Sequence, residues 1–180
     1  MNVQIVDLTP EYIDGALDVF YESNLLHCSG APDYFRKIPK EHSRPYLEWI
    51  IRNENTFGLV ALADGKVAGI VFAAKEEKPD TLFLYQRYYK IYDIAVSEAF
   101  RGQKIGQRLN DAVKARAKAD NIANIELEVF CFNSGAMAFY HECMRQQIKP
   151  ILGLECDVNL HDQIIPLLLL AKNDDGYRYS

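Results

Sequence analysis

The sequence predicts an α+β fold, a mixed β-sheet with helices packed on it, and three observations carry that prediction. Apolar runs of strand length alternate with stretches of helical period in the order β-α-α-β-β-β-α-β-α-β. Two apolar runs in FGLVALADGKVAGIVFAA flank Asp64-Gly65, a pair suited to a tight turn at positive φ, which makes a hairpin. The 180 residues are 49% apolar and 25% charged, enough for a core in one domain. We read residues 1–180 as that domain, with 159–180 as a C-terminal extension.

VQIVDL opens as a strand over residues 3–8. Thr9 is placed to N-cap the helix that follows, with Pro10 at its first position and Glu11 at the positive end of its dipole. Ile13, Ala16, Leu17 and Phe20 form its apolar stripe. From His27 to Pro45, three prolines and Gly30 among polar residues predict a loop. A second helix covers Tyr46 to Asn53, with Tyr46, Trp49 and Ile50 on one face. After the hairpin, Lys75 to Lys90 reads as a long connection carrying Tyr85, Tyr88 and Tyr89. Its aromatics would either cover a pocket or pack. IYDIAV is the next strand, residues 91–96. A helix from Lys104 to Ala119 follows, with Ile105, Leu109, Ala112 and Val113 inward and Asn121 at its end. IELEVFCF, 125–132, is a strand. Asn133-Ser134 opens a helix holding Ala136, Phe139 and Tyr140, and KPILGLECDV, 149–158, reads as a closing strand. The apolar tail, interrupted by Pro166, is either a terminal strand or a contact with another subunit; a homodimer is the assembly the latter implies.

Several function classes are excluded. No run of 18 apolar residues exists, so no membrane span or membrane partner is expected. The N-terminus lacks the basic and apolar regions of a secretory signal, which makes the cytoplasm the default location. Cys28, Cys131, Cys143 and Cys156 form no CxxC pair, and the four histidines make no ligand-spaced cluster, so reduced thiols and no metal are expected. A net charge of −5 speaks against a nucleic-acid partner. From Arg101 to Lys118, however, six cations stand against Asp111 alone, leaving −10 for the rest of the chain. That patch is either a solvated helix face or a site for a small anion.

The patch begins with FRGQKIGQRL. Gly102 and Gly106 lie four apart between a strand and a helix, with Arg101, Lys104 and Arg108 among them. A helix start presents unpartnered N–H groups and positive dipole, and glycine permits close approach, so the segment suits phosphate. It is neither GxxxxGK[ST] nor GxGxxG.

IAVSEAFRGQKIG, followed by LEVFCFNSGAMAFY, resembles the GCN5-related N-acetyltransferase (GNAT) family over roughly Leu59 to Tyr140. The family's loop pattern Arg/Gln-x-x-Gly-x-Gly/Ala becomes Arg101-Gly102-Gln103-Lys104-Ile105-Gly106 here, and its later asparagine and tyrosine become Asn133 and Tyr140. The segments IAV and LEV…N…A..Y are most similar to the peptide N-terminal and ribosomal-protein acetylases. Lys104 stands where the pattern has its first glycine. Its N–H serves as well provided its φ is unstrained, and its side chain adds charge. At the end of the last helix Met144-Arg145 replaces the family's frequent Gly-Phe.

The resemblance implies a mostly antiparallel central sheet flanked by helices, and acetyl-coenzyme A as co-substrate without a metal. Ile94, Ala95 and Val96 would pair their backbone with the pantetheine arm. Arg101, Gly102, Gln103, Lys104, Ile105, Gly106 and Gln107 would hold the pyrophosphate, and Asn133 would touch the arm from the other side. Tyr140 would sit near the sulfur, as the acid that protonates the leaving thiolate. Attack by an amine needs a base, for which Glu128 is the first choice and Asp93 the second. Glu128 otherwise reads as a solvent-facing strand residue, and Asp93 would otherwise hold the cationic acceptor. An N-acetyltransferase acting on a small or peptide amine in a ternary complex is therefore expected. A non-catalytic acyl-coenzyme A-binding module is the alternative.

Overall fold

The computed structural model describes residues 2–79, 85–144 and 164–170. Six strands form one sheet in chain order: β1 (Val3–Asp7), β2 (Thr56–Ala63), β3 (Lys66–Glu77), β4 (Arg87–Val96), β5 (Asn124–Phe130) and β6 (Ile164–Leu170). All neighbours are antiparallel except β4 and β5, which are parallel because α3 (Ile105–Ala119) carries the chain back between them. From β1 to α4 the element order is the expected one. α1 (Ile13–Gly30) and α2 (Arg44–Arg52) cover one face of the sheet; α3 and α4 (Ser134–Met144) cover the other.

Two cores result. Under α1 and α2 lie Leu17, Phe20, Leu47 and Ile50 against Val60, Ile70 and Phe72; under α3 and α4 lie Ile105, Leu109, Val113 and Tyr140 against Val71, Tyr89, Ile91 and Leu127. β2 and β3 are buried from both sides, which is why they read as apolar runs without alternation. Ile105, Leu109, Val113 and Ala117 are almost wholly buried at a helical spacing of four; each Leu or Ile contributes about 1.5–3 kcal/mol. The β2–β3 turn is the expected one, with Asp64 at φ 48° and Gly65 at φ 83°.

Several expectations are corrected. α1 runs to Gly30, so His27 is helical and not the start of a loop. Thr9 makes no capping bond; its hydroxyl donates to the Glu11 carboxylate at 3.1 Å, and a 3-10 turn, Pro10–Tyr12, precedes α1. α2 buries Leu47 and Ile50, while Trp49 is exposed and stacks on half-buried Tyr46. Tyr88 and Tyr89 belong to β4, not to a connection, and Tyr89 is fully buried with its hydroxyl on Asp120 at 2.5 Å. β6 shows the apolar tail contributing a strand, which tolerates Pro166 as an edge strand among the described residues. The strand expected over 149–158 lies outside the described residues.

Candidate active site

The site begins with two strands that part. β4 stays registered with β3 to Val96, opposite Gly69, and β5 stays registered with β6 along its whole length. Between themselves they pair only at Tyr89–Ile125, Lys90–Glu126 and Ile91–Leu127. The cause lies in β4. Phe72 of β3 faces Asp93 and Ala73 faces Ile91, so Tyr92 is an extra residue, a bulge that bends the strand. Beyond it, the edge of β4 toward β5 has no strand partner among the described residues. Backbone groups at such an edge can pair with an extended ligand as with another strand. Ile94, Ala95 and Val96, all half-buried, lie on this stretch.

At the mouth of the opening the chain turns into α3. Glu22 of α1 fixes the turn, accepting from Ser97 Oγ and from the Glu98 N–H, both at 3.0 Å. Gly102 (φ 76°) and Lys104 (φ 59°) are both left-handed. An added Cβ at Gly102 would meet nothing within 4 Å, so conformation, not space, selects glycine there. The condition set on Lys104, an unstrained φ, is not met: it sits in the region its pattern reserves for glycine, at a cost of about 1 kcal/mol. Arg101, Gly102, Gln103 and Lys104 are exposed around the start of α3, whose first N–H groups lack intrahelical acceptors. Ile105 is buried, and Gln107 donates to Asp111 at 2.8 Å. A Cβ at Gly106 would stand 3.4 Å from the Phe139 ring and 3.8 Å from Val96, so α3, α4 and the end of β4 meet there. The basic patch divides. Arg108 donates to the Val3 carbonyl at 3.2 Å and Arg116 pairs with Asp7 at 2.7 Å, both toward β1, while Arg101 and Lys104 stay exposed at the start of α3.

The two candidate bases differ sharply. Glu128 on β5 is exposed and pairs with Lys90 at 3.1 Å. Asp93 on β4 is partly buried toward α2, where the Tyr46 hydroxyl donates to its Oδ2 at 2.8 Å. Burial pushes its carboxyl up to about 6, against the lowering effect of that hydrogen bond. Glu126 is engaged by Lys78 at 2.7 Å and by the Tyr85 hydroxyl. Tyr140 is buried in α4 with its ring 5.1 Å from Phe139. The Oδ1 of Asn133 accepts from the Ala136 N–H at 3.0 Å and so caps α4.

An aromatic cluster stands at the end of β5. Phe130 and Phe132, at and beyond the end of β5, meet His27, Tyr34 and Phe35, with His27 5.6 Å from Phe130 and 5.8 Å from Phe132. Burial lowers the His27 pKa, which keeps it neutral at pH 7. Nothing local in the sequence signals this contact, nor that between Tyr46 and Asp93. Among the described residues no group of His, Cys, Asp and Glu could hold a metal, and no helix is long and apolar enough to cross a membrane.

A sheet whose parallel strands part beside a left-handed loop and a helix start is the frame of an acyl-coenzyme A-dependent N-acyltransferase. The chain belongs to the acetyltransferase (GNAT) family, whose model matches residues 25–144. Its fold is similar to that of a tetramutant of the BH1408 protein of Bacillus halodurans, with a TM-score of 0.74 at 23% identity over 84% of this chain and 99% of that one. It is also similar to the PaiA N-acetyltransferase of Thermoplasma acidophilum in complex with coenzyme A (TM-score 0.65, 15% identity, 93% and 98% covered). A third similar fold is the ribosomal-protein-alanine N-acetyltransferase of Brucella melitensis biovar Abortus 2308 (TM-score 0.62, 17% identity, 86% and 97% covered). No curated protein matches the chain in sequence.

Proposed function

We propose that this protein transfers the acetyl group of acetyl-coenzyme A to a primary amine by direct attack in a ternary complex. The observation that carries the reading is the parting of β4 and β5 after three paired residues, directly ahead of the Gly102–Lys104 loop. The opening suits a pantetheine arm running along Ile94, Ala95 and Val96. The loop from Arg101 to Gln107 suits a pyrophosphate, through helix N–H groups and two exposed cations. The amide of Asn133, with its oxygen held by α4, lines the far side.

Acetyl-coenzyme A supplies an activated thioester. Asp93 takes the proton that an acceptor ammonium must lose, a task its carboxyl near 6 suits better than a fully solvated one. Glu128, exposed and paired with Lys90, is then an outer carboxylate that draws in the cationic acceptor. A β4 backbone N–H beyond the bulge donates to the thioester oxygen as negative charge develops there. Tyr140 gives a proton to the departing sulfur. The acidic remainder of the chain favours an amine acceptor, whether small or on a peptide. A panel of primary amines, read by thiol release, tests the reading. Release that saturates with one amine is expected; silence across the panel with acetyl-coenzyme A bound would favour the non-catalytic alternative.

A further inference from the structure

Asp93 and Tyr46 are 47 residues apart in sequence, and the fold brings them to a hydrogen bond of 2.8 Å. We propose that Tyr46 is a positioning residue for acetyl transfer: its hydroxyl holds Oδ2 of Asp93 and thereby presents Oδ1 to the acceptor ammonium. This rests on the reading of Asp93 as the base.

The geometry is that of a clamp. The Tyr46 hydroxyl makes the one side-chain hydrogen bond of Asp93 among the described residues, so one carboxylate oxygen is held and the other is not. The phenol itself is fixed. Its ring lies 5.5 Å from Phe20 of α1, 5.9 Å from Phe72 of β3 at 80°, and 6.3 Å from Trp49, on which it stacks. Phe72 is also the residue registered opposite Asp93, so one side chain supports both partners. α2 is anchored just beyond by Leu47 and Ile50, exposed by no more than 1%. The bulge at Tyr92 sets the carboxylate on the α2 side of the strand, while Ile94 and Val96 pack on the α3 side.

The other titratable groups nearby are engaged elsewhere. Tyr92 turns its hydroxyl to Glu76 of β3, and Lys90 of β4 pairs with Glu128 of β5. α1 contributes the apolar Phe20. The Tyr46 phenol is itself pushed far up, by burial first and then by the charge of Asp93, so it remains a donor wherever the enzyme works. A donor to the ionised form favours ionisation, which keeps a buried carboxylate able to take a proton near neutrality.

The test compares Tyr46→Phe, which keeps the ring and its packing, with the native chain. It reads the pH profile of kcat/KM on the best amine of the panel and the carboxyl-carbon titration of Asp93 by NMR. Loss of the hydrogen bond should move the acid limb and the Asp93 titration upward together by about one pH unit, so that kcat/KM falls roughly tenfold below the limb and little above it. The KM for acetyl-coenzyme A should not change. If Tyr46→Phe fails to fold, 3-fluorotyrosine at position 46, a stronger donor of the same shape, should move both readouts downward. An unmoved profile and titration in a chain that transfers acetyl groups would overturn the role of Tyr46 alone. Absence of transfer by the native chain would overturn the function on which it rests.

Discussion

The middle of β4 and the loop beyond its end are built by opposite means. Beyond its end, the loop from Arg101 to Gly106 is shaped by backbone: two left-handed residues and a helix start, with cations a few positions apart. At its bulge, Asp93 is set by side chains from α2 and β3, Tyr46 and Phe72. The first region depends on local chain conformation, the second on tertiary packing, and substitutions in each test that difference.

Substitution at Asp93 should show the largest effect. Asp93→Asn removes the proposed base while keeping the acceptor for Tyr46, and the transfer rate should fall about 10²–10⁴-fold. The same change should stabilise the fold. With its carboxyl raised to about 6 from an ordinary 3.8, Asp93 favours folding fully below pH 3.8, and that contribution is lost as the pH rises through 6. Above pH 6 the native chain therefore carries a burial penalty that asparagine lacks, about 1 kcal/mol after allowing for partial exposure. Urea unfolding at pH 8 and pH 4 checks it: the stabilisation should appear at pH 8 and vanish at pH 4. A variant that is inactive and no more stable at pH 8 would mean that the carboxylate is well solvated.

The helix that carries the loop offers the next contrast. Asn110 of α3 is wholly buried and neither of its amide atoms finds a hydrogen-bond partner among the described residues. Asn110→Leu, of the same branched shape, should raise stability by up to about 1–2 kcal/mol, since it removes an unsatisfied polar group, less whatever its larger volume costs in packing. Calorimetry with acetyl-coenzyme A should show unchanged affinity. A loss would mean that the amide serves the ligand and that this half of the site also relies on a side chain.

The smallest effect belongs to Lys104. Lys104→Gly relieves the left-handed φ at the cost of a freer unfolded chain, for a net gain of a few tenths to about 1 kcal/mol. Loss of one exposed cation should weaken acetyl-coenzyme A binding about two- to five-fold. Tighter binding would mean that the lysine side chain obstructs the loop.

The same contrast explains what the sequence reveals. The loop is legible because its determinants are adjacent: Gly102, Lys104 and Gly106 between an apolar strand and an amphipathic helix. The hairpin at Asp64-Gly65 is legible for the same reason. The bulge at Tyr92 leaves no mark in IYDIAV, and neither does the length of the β4–β5 ladder, since both depend on the register of neighbouring strands. Tyr46 reads as one face of a helix, and only the fold pairs it with Asp93. The prolines and glycine after His27 point to a loop. α1 persists to Gly30 because His27 packs on Phe130 and Phe132, and a Cβ on Gly30 would lie 2.1 Å from the Phe132 ring. Lys104 shows the reverse case. Its residue type argues against a left-handed φ, and the helix start imposes one.

The claim at the centre is that the parted edge of β4 receives acetyl-coenzyme A. Amide hydrogen exchange, with and without saturating acetyl-coenzyme A, tests it at the residues concerned. Amides within 92–96 and 104–107 should slow strongly on binding, while those of β1 and β2 change little. Tight binding with no slowing across 92–96 would contradict the account, because the ligand would then lie elsewhere than along the strand.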